Sequence, residues 1–210
     1  MPDDHHHHDG CSHEHHDHDH DSPDAGPKDN LYPYIDRPNV VALNASGNGQ
    51  DVIKPWDERN SDQAFVESDA DDQLIIRIPF TGSVKLRSVL LKAGPGDLIP
   101  TKMALFANQP DLDFSDIADK TPAQEFEVAQ GKEIAEYTVK AAKFTSTSSL
   151  TIFLSEAQGG FQSRVYYVGL LGQWSERKKN PIITVYEAQA NPADHKKIRG
   201  MTDMSSTPQM

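Results

Sequence analysis

From Gln73 to Lys92 the chain reads QLIIRIPFTGSVKLRSVLLK, a run that alternates apolar and polar residues with a period of two. A helix cannot keep such a pattern on one side, whereas a strand places Leu74, Ile76, Ile78 and Phe80 on one face and Gln73, Arg77 and Pro79 on the other. Thr81-Gly82-Ser83 interrupts the run with a residue suited to a tight reversal. The pattern therefore predicts two strands, 73–80 and 84–92, joined as a hairpin. In the second of them Val84, Leu86 and Leu90 oppose Val89 and Leu91, which calls for a bulge or for burial of both faces.

The remaining periodic segments are also short and β-like. Leu31–Ile35 and Val40–Leu43 surround prolines and suit an edge. Val52–Trp56 reads as a short strand or an extended arm anchored by Trp56. Met103–Phe106, Glu125–Val128, Ala135–Val139, Leu150–Leu154, the nearly all-apolar Arg164–Trp174 and Ile182–Glu187 complete the set. One helical turn is expected near Asp113–Ile117. Eight to ten short strands, Gly- and Pro-rich turns and almost no helix predict an all-β, antiparallel jelly-roll sandwich. No internal repeat points to a propeller or solenoid.

Only part of the 210 residues suits a folded body. Residues 1–28 are predicted to be a disordered His/Asp-rich tail, 29–190 the β-sandwich domain, and 191–210 a flexible C-terminal segment. Residues 1–30 hold nine carboxylates and one lysine, so −8 of the net charge of −12 lies there and −4 is left for the rest. A body so nearly balanced has no large basic field, which argues against nucleic acid as a partner. Arg177, Lys178, Lys179 and Lys196, Lys197, Arg199 are separate basic groups suited to an acidic protein partner. No apolar run reaches the roughly 18 residues of a membrane span, and the first residues lack the pattern of a signal peptide. The expected location is cytoplasm and nucleus. The one cysteine, Cys11, excludes an internal disulfide and a CxxC centre. Asn44-Ala45-Ser46 matches a glycosylation acceptor but is read as a loop in an intracellular chain.

Chemistry-bearing residues are few. Nine of the ten histidines, His5, His6, His7, His8, His13, His15, His16, His18 and His20, lie in the tail among aspartates. Neutral imidazoles with nearby carboxylates bind divalent transition metals. The readings are a solvated tail that binds metal without selectivity, a metal-linked role, or a cloning remnant. His13-Glu14 is followed by Asp17 where a zinc-protease helix needs histidine, so that motif fails. His195, after Asn191-Pro192-Ala193-Asp194, reads as part of a capped turn. No nucleophile elbow or phosphate-binding glycine loop is present, and neither an enzyme nor a cofactor is expected. Glu67, Asp69, Asp71 and Asp72 offer oxygen ligands to calcium but lack the EF-hand spacing, and a solvated turn is the plainer reading. Trp56 and Trp174 are either anchors or an aromatic platform for a small ligand such as a sugar.

Several long blocks resemble the PITH family, the "proteasome-interacting thioredoxin" domain. They are Lys54-Pro55-Trp56-Asp57-Glu58-Arg59, FVESDADDQLIIRIPFTGSVKL at 65–86, Val165–Leu170 with Gly172 and Trp174, Tyr186-Glu187-Ala188, and Ala190–His195. The resemblance spans about Asn30 to Arg199, and the His-rich start resembles stand-alone members. It implies a galactose-binding-like jelly roll and a protein-interaction module associated with the 26S proteasome. Family members with an N-terminal thioredoxin domain carry a CxxC centre that is missing here, so redox activity does not carry over. The rival expectations are a module that binds carbohydrate or calcium at the loop end, and metal buffering through the histidine tail.

Overall fold

A computed structural model describes residues 26–177. The histidine tail, the strand expected at Ile182–Glu187, His195 and the C-terminal segment lie outside the described residues. Within them are nine strands: β1 (Val41–Leu43), β2 (Ala45–Ser46), β3 (Val66–Ser68), β4 (Leu74–Ala93), β5 (Pro100–Ala107), β6 (Gln124–Glu127), β7 (Ala135–Thr138), β8 (Thr147–Ala157) and β9 (Arg164–Ser175). One four-residue helix, α1 (Phe114–Ile117), follows β5; the Asp113 carboxylate accepts from Asp116 N and caps it.

All strand pairs are antiparallel, and the all-β jelly-roll sandwich expected from the strand pattern is what forms. β4 belongs to both sheets. Its first half pairs with β8, Leu74 opposite Leu154 through Pro79 opposite Ser149, and carries β1 on its other side. Its second half pairs with β9, Ser83 opposite Ser175 through Ala93 opposite Val165, and carries β7 at Ser88–Leu91. One sheet thus runs β1-β4-β8-β5-β6 and the other β2-β3-β9-β4-β7.

The expected hairpin does not exist. β4 runs through Thr81-Gly82-Ser83 without reversing, and Gly82 is not among the glycines with positive φ. Its role is steric: a Cβ there would overlap Trp174 Nε1 and meet Ser175 O. Glycine serves here for close approach of the neighbouring strand, where the sequence suggested a turn.

The core lies between the sheets. Leu74, Ile76, Ile78 and Phe80 point into it, as the alternation predicts, against Met103, Leu105, Leu150, Ile152 and Leu154 from their own sheet. Val84, Leu86, Val89, Val165, Val168 and Leu170 face them from the other. Each such aliphatic side chain contributes about 2 kcal/mol relative to exposure. The register shifts between Leu86 and Ser88, so the inward positions change from even to odd and Val89 and Leu91 reach the core. That bulge, together with burial of Leu90 on the outer face, explains the apolar residues on both sides of this half-strand.

Candidate interaction surface

The outer face of the β4–β9 pair would expose Leu90, Tyr167 and Leu171, but an arm after Val52 covers it. Trp56 packs on those three residues together with Ile134. Two lysines hold the arm. Lys54, buried, donates from Nζ to the carbonyls of Ser61 (2.7 Å) and Ala64 (2.7 Å). Lys92, buried on β4, donates to Asn60 O (2.8 Å) and the Asp62 carboxylate (2.6 Å). Arg59 closes the arm by donating to Trp56 O at 2.6 Å, with its guanidinium 4.4 Å from the Trp56 ring. Burial lowers the Lys54 pKa, opposed by the carboxylate of Asp62. Burial also pushes the Tyr167 phenol up to about 12. Tyr167 lies across Gly169, where any Cβ would overlap its hydroxyl.

The acidic turn has structural partners. Asn44, at φ 54°, donates from Nδ2 to the Asp71 carboxylate (2.7 Å) and Gln73 O (2.6 Å), and its Oδ1 accepts from Ala70 N (2.9 Å). Asp72 accepts from Ala157 N at 2.8 Å. Glu67 forms an ion pair with Arg164, whose guanidinium also lies 4.4 Å from the Phe65 ring. The carboxylates are aimed apart, and among the described residues no group of three His, Cys, Asp or Glu side chains could hold a metal ion.

Near the middle of β4, opposite Val84, Trp174 stacks on Tyr34 with ring centroids 4.7 Å apart and planes 9° from parallel. Tyr32 is gripped by Arg37, which donates to its hydroxyl at 2.6 Å. On the far sheet, β5, β6, β8 and α1 enclose a cleft of about 350 Å³. Ala104, Phe106 and Phe153 line its floor, Ile117 one wall, and Lys102, Lys120, Glu125 and Glu127 its rim. Phe161, in the loop between β8 and β9, is 92 % exposed.

The segments that build the arm, the acidic turn and the Gly82 crossover fall inside a single family match: the PITH domain aligns with residues 21–190. The chain belongs to the PITH-domain family. PITH domain-containing protein 1 of Xenopus laevis is 39 % identical over 202 residues, covering 93 % of this chain and 94 % of the frog protein. The Danio rerio protein of that name is 41 % identical over 170 residues, 79 % of this chain and 80 % of the fish protein. The Homo sapiens one is 39 % identical over 172 residues, with the same two coverages of 79 % and 80 %. Among solved structures, the family 32 carbohydrate-binding module of C. perfringens NanJ, in complex with galactose, superposes with a TM-score of 0.49 at 10 % identity, over 65 % of this chain and 96 % of that one. The module CpGH89CBM32-5 of Clostridium perfringens gives 0.47 at 13 % identity, over 65 % and 97 %.

The PITH signature residues have structural duties. Lys54-Pro55-Trp56-Asp57-Glu58-Arg59 builds the covering arm, and Gly172 lets β9 approach β4, since a Cβ there would overlap Lys85 O. Trp56 is an anchor. Trp174 is an edge residue, 36 % exposed and stacked on Tyr34. The two tryptophans belong to separate groups and do not form one platform. His5, His6, His7, His8, His13, His15, His16, His18, His20 and His195, like Lys178, Lys179, Lys196, Lys197 and Arg199, lie outside the described residues. The cleft was not visible in the sequence. Its rim at Glu125 and Glu127 was legible as strand alternation, but the terminal position of β6 in its sheet was not.

Proposed function

We propose that this PITH protein is a non-enzymatic protein-interaction module that associates with the 26S proteasome, through its regulatory particle, in the cytoplasm and nucleus. The observation that carries the reading is family membership. The PITH domain aligns with residues 21–190, and the similarity to PITH domain-containing protein 1 extends over 93 % of this chain. The name given to the family by resemblance points to the proteasome as the assembly. The character of the body supports binding over catalysis: residues 26–177 contain neither histidine nor cysteine. Among the charged side chains of the signature segments, Lys54 and Arg59 hold the arm, and Glu67, Asp71 and Asp72 hold the acidic turn. Exposed Phe161 and the cleft beside β6 leave surface for a partner.

Affinity capture of tagged full-length chain should recover regulatory-particle subunits, and a variant lacking residues 1–28 should recover them equally. Capture without any proteasome subunit would refute the reading. Divalent transition-metal binding by His5–His8, His13, His15, His16, His18 and His20 is proposed as a separate, non-selective property. Nickel or zinc titration should show it abolished by the same deletion, and unchanged affinity would refute it.

A further inference from the structure

We propose that the cleft between β5, β6 and α1 is a docking groove for an extended basic segment of a partner protein, lying alongside β6. The floor is apolar and shaped: Ala104, Phe106 and Leu112 form a buried cluster, with Phe153 and Ile117 packed on it and Phe114 edge-on to Phe153 at 6.4 Å. Ala104, Phe106 and Leu112 are buried within the chain, while Phe153 and Ile117, packed on them, stay partly exposed and carry the apolar strip to the surface of the cleft.

Charge decides the occupant. Both lysines at the rim already have partners, Lys102 with Glu156 at 2.6 Å and Lys120 with Asp116 at 3.3 Å. Glu125 and Glu127, exposed on the same side of β6, form no ion pair with a described residue, although Glu127 stands opposite Lys102 and both act on its charge. The two rim lysines, their partners Glu156 and Asp116 beside the cleft, and the two glutamates carry four negative and two positive charges, so the rim with its immediate neighbours sums to −2. The carboxylates sit two residues apart on a strand, the spacing at which alternate side chains of an extended partner recur. Ala104 and Glu125 are opposite each other on one face, so a segment alongside β6 with Lys or Arg at alternate positions turns those side chains to the face that carries the glutamates and its intervening residues to the other.

The geometry of the edge agrees. β6 ends its sheet, and β5 is its strand neighbour among the described residues. A second copy of this chain is a poor occupant, because antiparallel self-pairing of β6 sets glutamates near glutamates. The groove does not depend on the proteasome being the assembly served, and its test is made with purified protein alone.

The full-length chain, labelled with ¹⁵N, is titrated with a synthetic Lys-Val-Lys-Val-Lys-Val-Lys peptide and, in parallel, with its Glu-Val counterpart. The expected result is amide shifts confined to β5, β6 and α1 with the basic peptide, weaker binding at higher salt, and no shifts with the acidic one. Charge reversal at Glu125→Lys plus Glu127→Lys should weaken the basic peptide about ten-fold or more. Both positions are exposed, and an unchanged melting temperature will confirm that the variant is folded. Shifts elsewhere on the domain, equal binding of the two peptides, indifference to the charge reversal, or a dimer that forms through this face would each overturn the proposal.

Discussion

Gly82 on β4 faces the indole edge of Trp174 on β9 so closely that a Cβ at position 82 would overlap Trp174 Nε1 and meet Ser175 O. This contact sits where β4 leaves one sheet for the other, between Pro79 opposite Ser149 and Ser83 opposite Ser175. Gly82→Ala should therefore destabilise the domain by about 1–3 kcal/mol, the usual range for overpacking. Removing the indole relieves only the side-chain part of the clash. In a double-mutant cycle with Trp174→Ala, urea melts should show coupling of about 1 kcal/mol while Gly82→Ala remains unfavourable against the Ser175 carbonyl.

Asn44 combines a left-handed backbone with three side-chain hydrogen bonds to the acidic turn. Asn44→Gly keeps the conformation and loses the bonds; Asn44→Ala loses both. Alanine should cost about 2–4 kcal/mol and glycine about 1 kcal/mol less, as thermal melts can measure. Because the turn is held by Asn44, Ala157 N and Arg164, millimolar calcium should leave the melting temperature unchanged.

Lys54 ties the arm to its own carbonyls at Ser61 and Ala64. Lys54→Met preserves the aliphatic stem and leaves those oxygens without their donor, a loss of about 1–3 kcal/mol. The variant should also be cut faster than the parent by a protease between residues 54 and 65, since the arm loses its fastening before the sheets do.

Tyr167 makes stability fall in alkali. Its pKa is raised from 10.0 to about 12 by burial, so the folded chain holds the phenolic proton more tightly than the unfolded one. The contribution is complete below pH 10 and is lost as pH rises from 10 towards 12. The full shift corresponds to about 2–3 kcal/mol. Lys54 works in the opposite sense: its pKa is lowered in the fold, so deprotonation relieves the folded state as pH approaches 10.5. Urea midpoints should fall less steeply between pH 10 and 12 in Tyr167→Phe, and the gain that Lys54 supplies as pH approaches 10.5 should be missing in Lys54→Met.

Much of the fold was legible in the alternation, and the main misreading could have been avoided from it. Even-numbered residues are buried without a break from Leu74 to Ser88, through Gly82, and a strand that crosses between sheets keeps that parity. A hairpin has no reason to preserve it. What obscured the continuity was Gly82, whose cause, the indole of Trp174, is 92 residues away in sequence. The anchoring of an arm by Trp56 followed from the apolar pattern of Val52–Trp56. The partners of the acidic turn did not, because Asn44 lies 27 residues from Asp71 and only folding brings them together. The cleft was illegible for a related reason: Glu125 and Glu127 alternate as in any half-exposed strand, and only the strand order places them at a sheet edge beside Phe106 and Phe153.

The central claim is that this PITH domain works by binding a large assembly. Crosslinking mass spectrometry on full-length chain captured from cell lysate tests it most directly, because the crosslinked peptides name both partner and surface. Links from this chain to proteasome regulatory-particle subunits are expected, retained when residues 1–28 are deleted. Captured protein that crosslinks only to itself, with proteasomes present in the lysate, would contradict it.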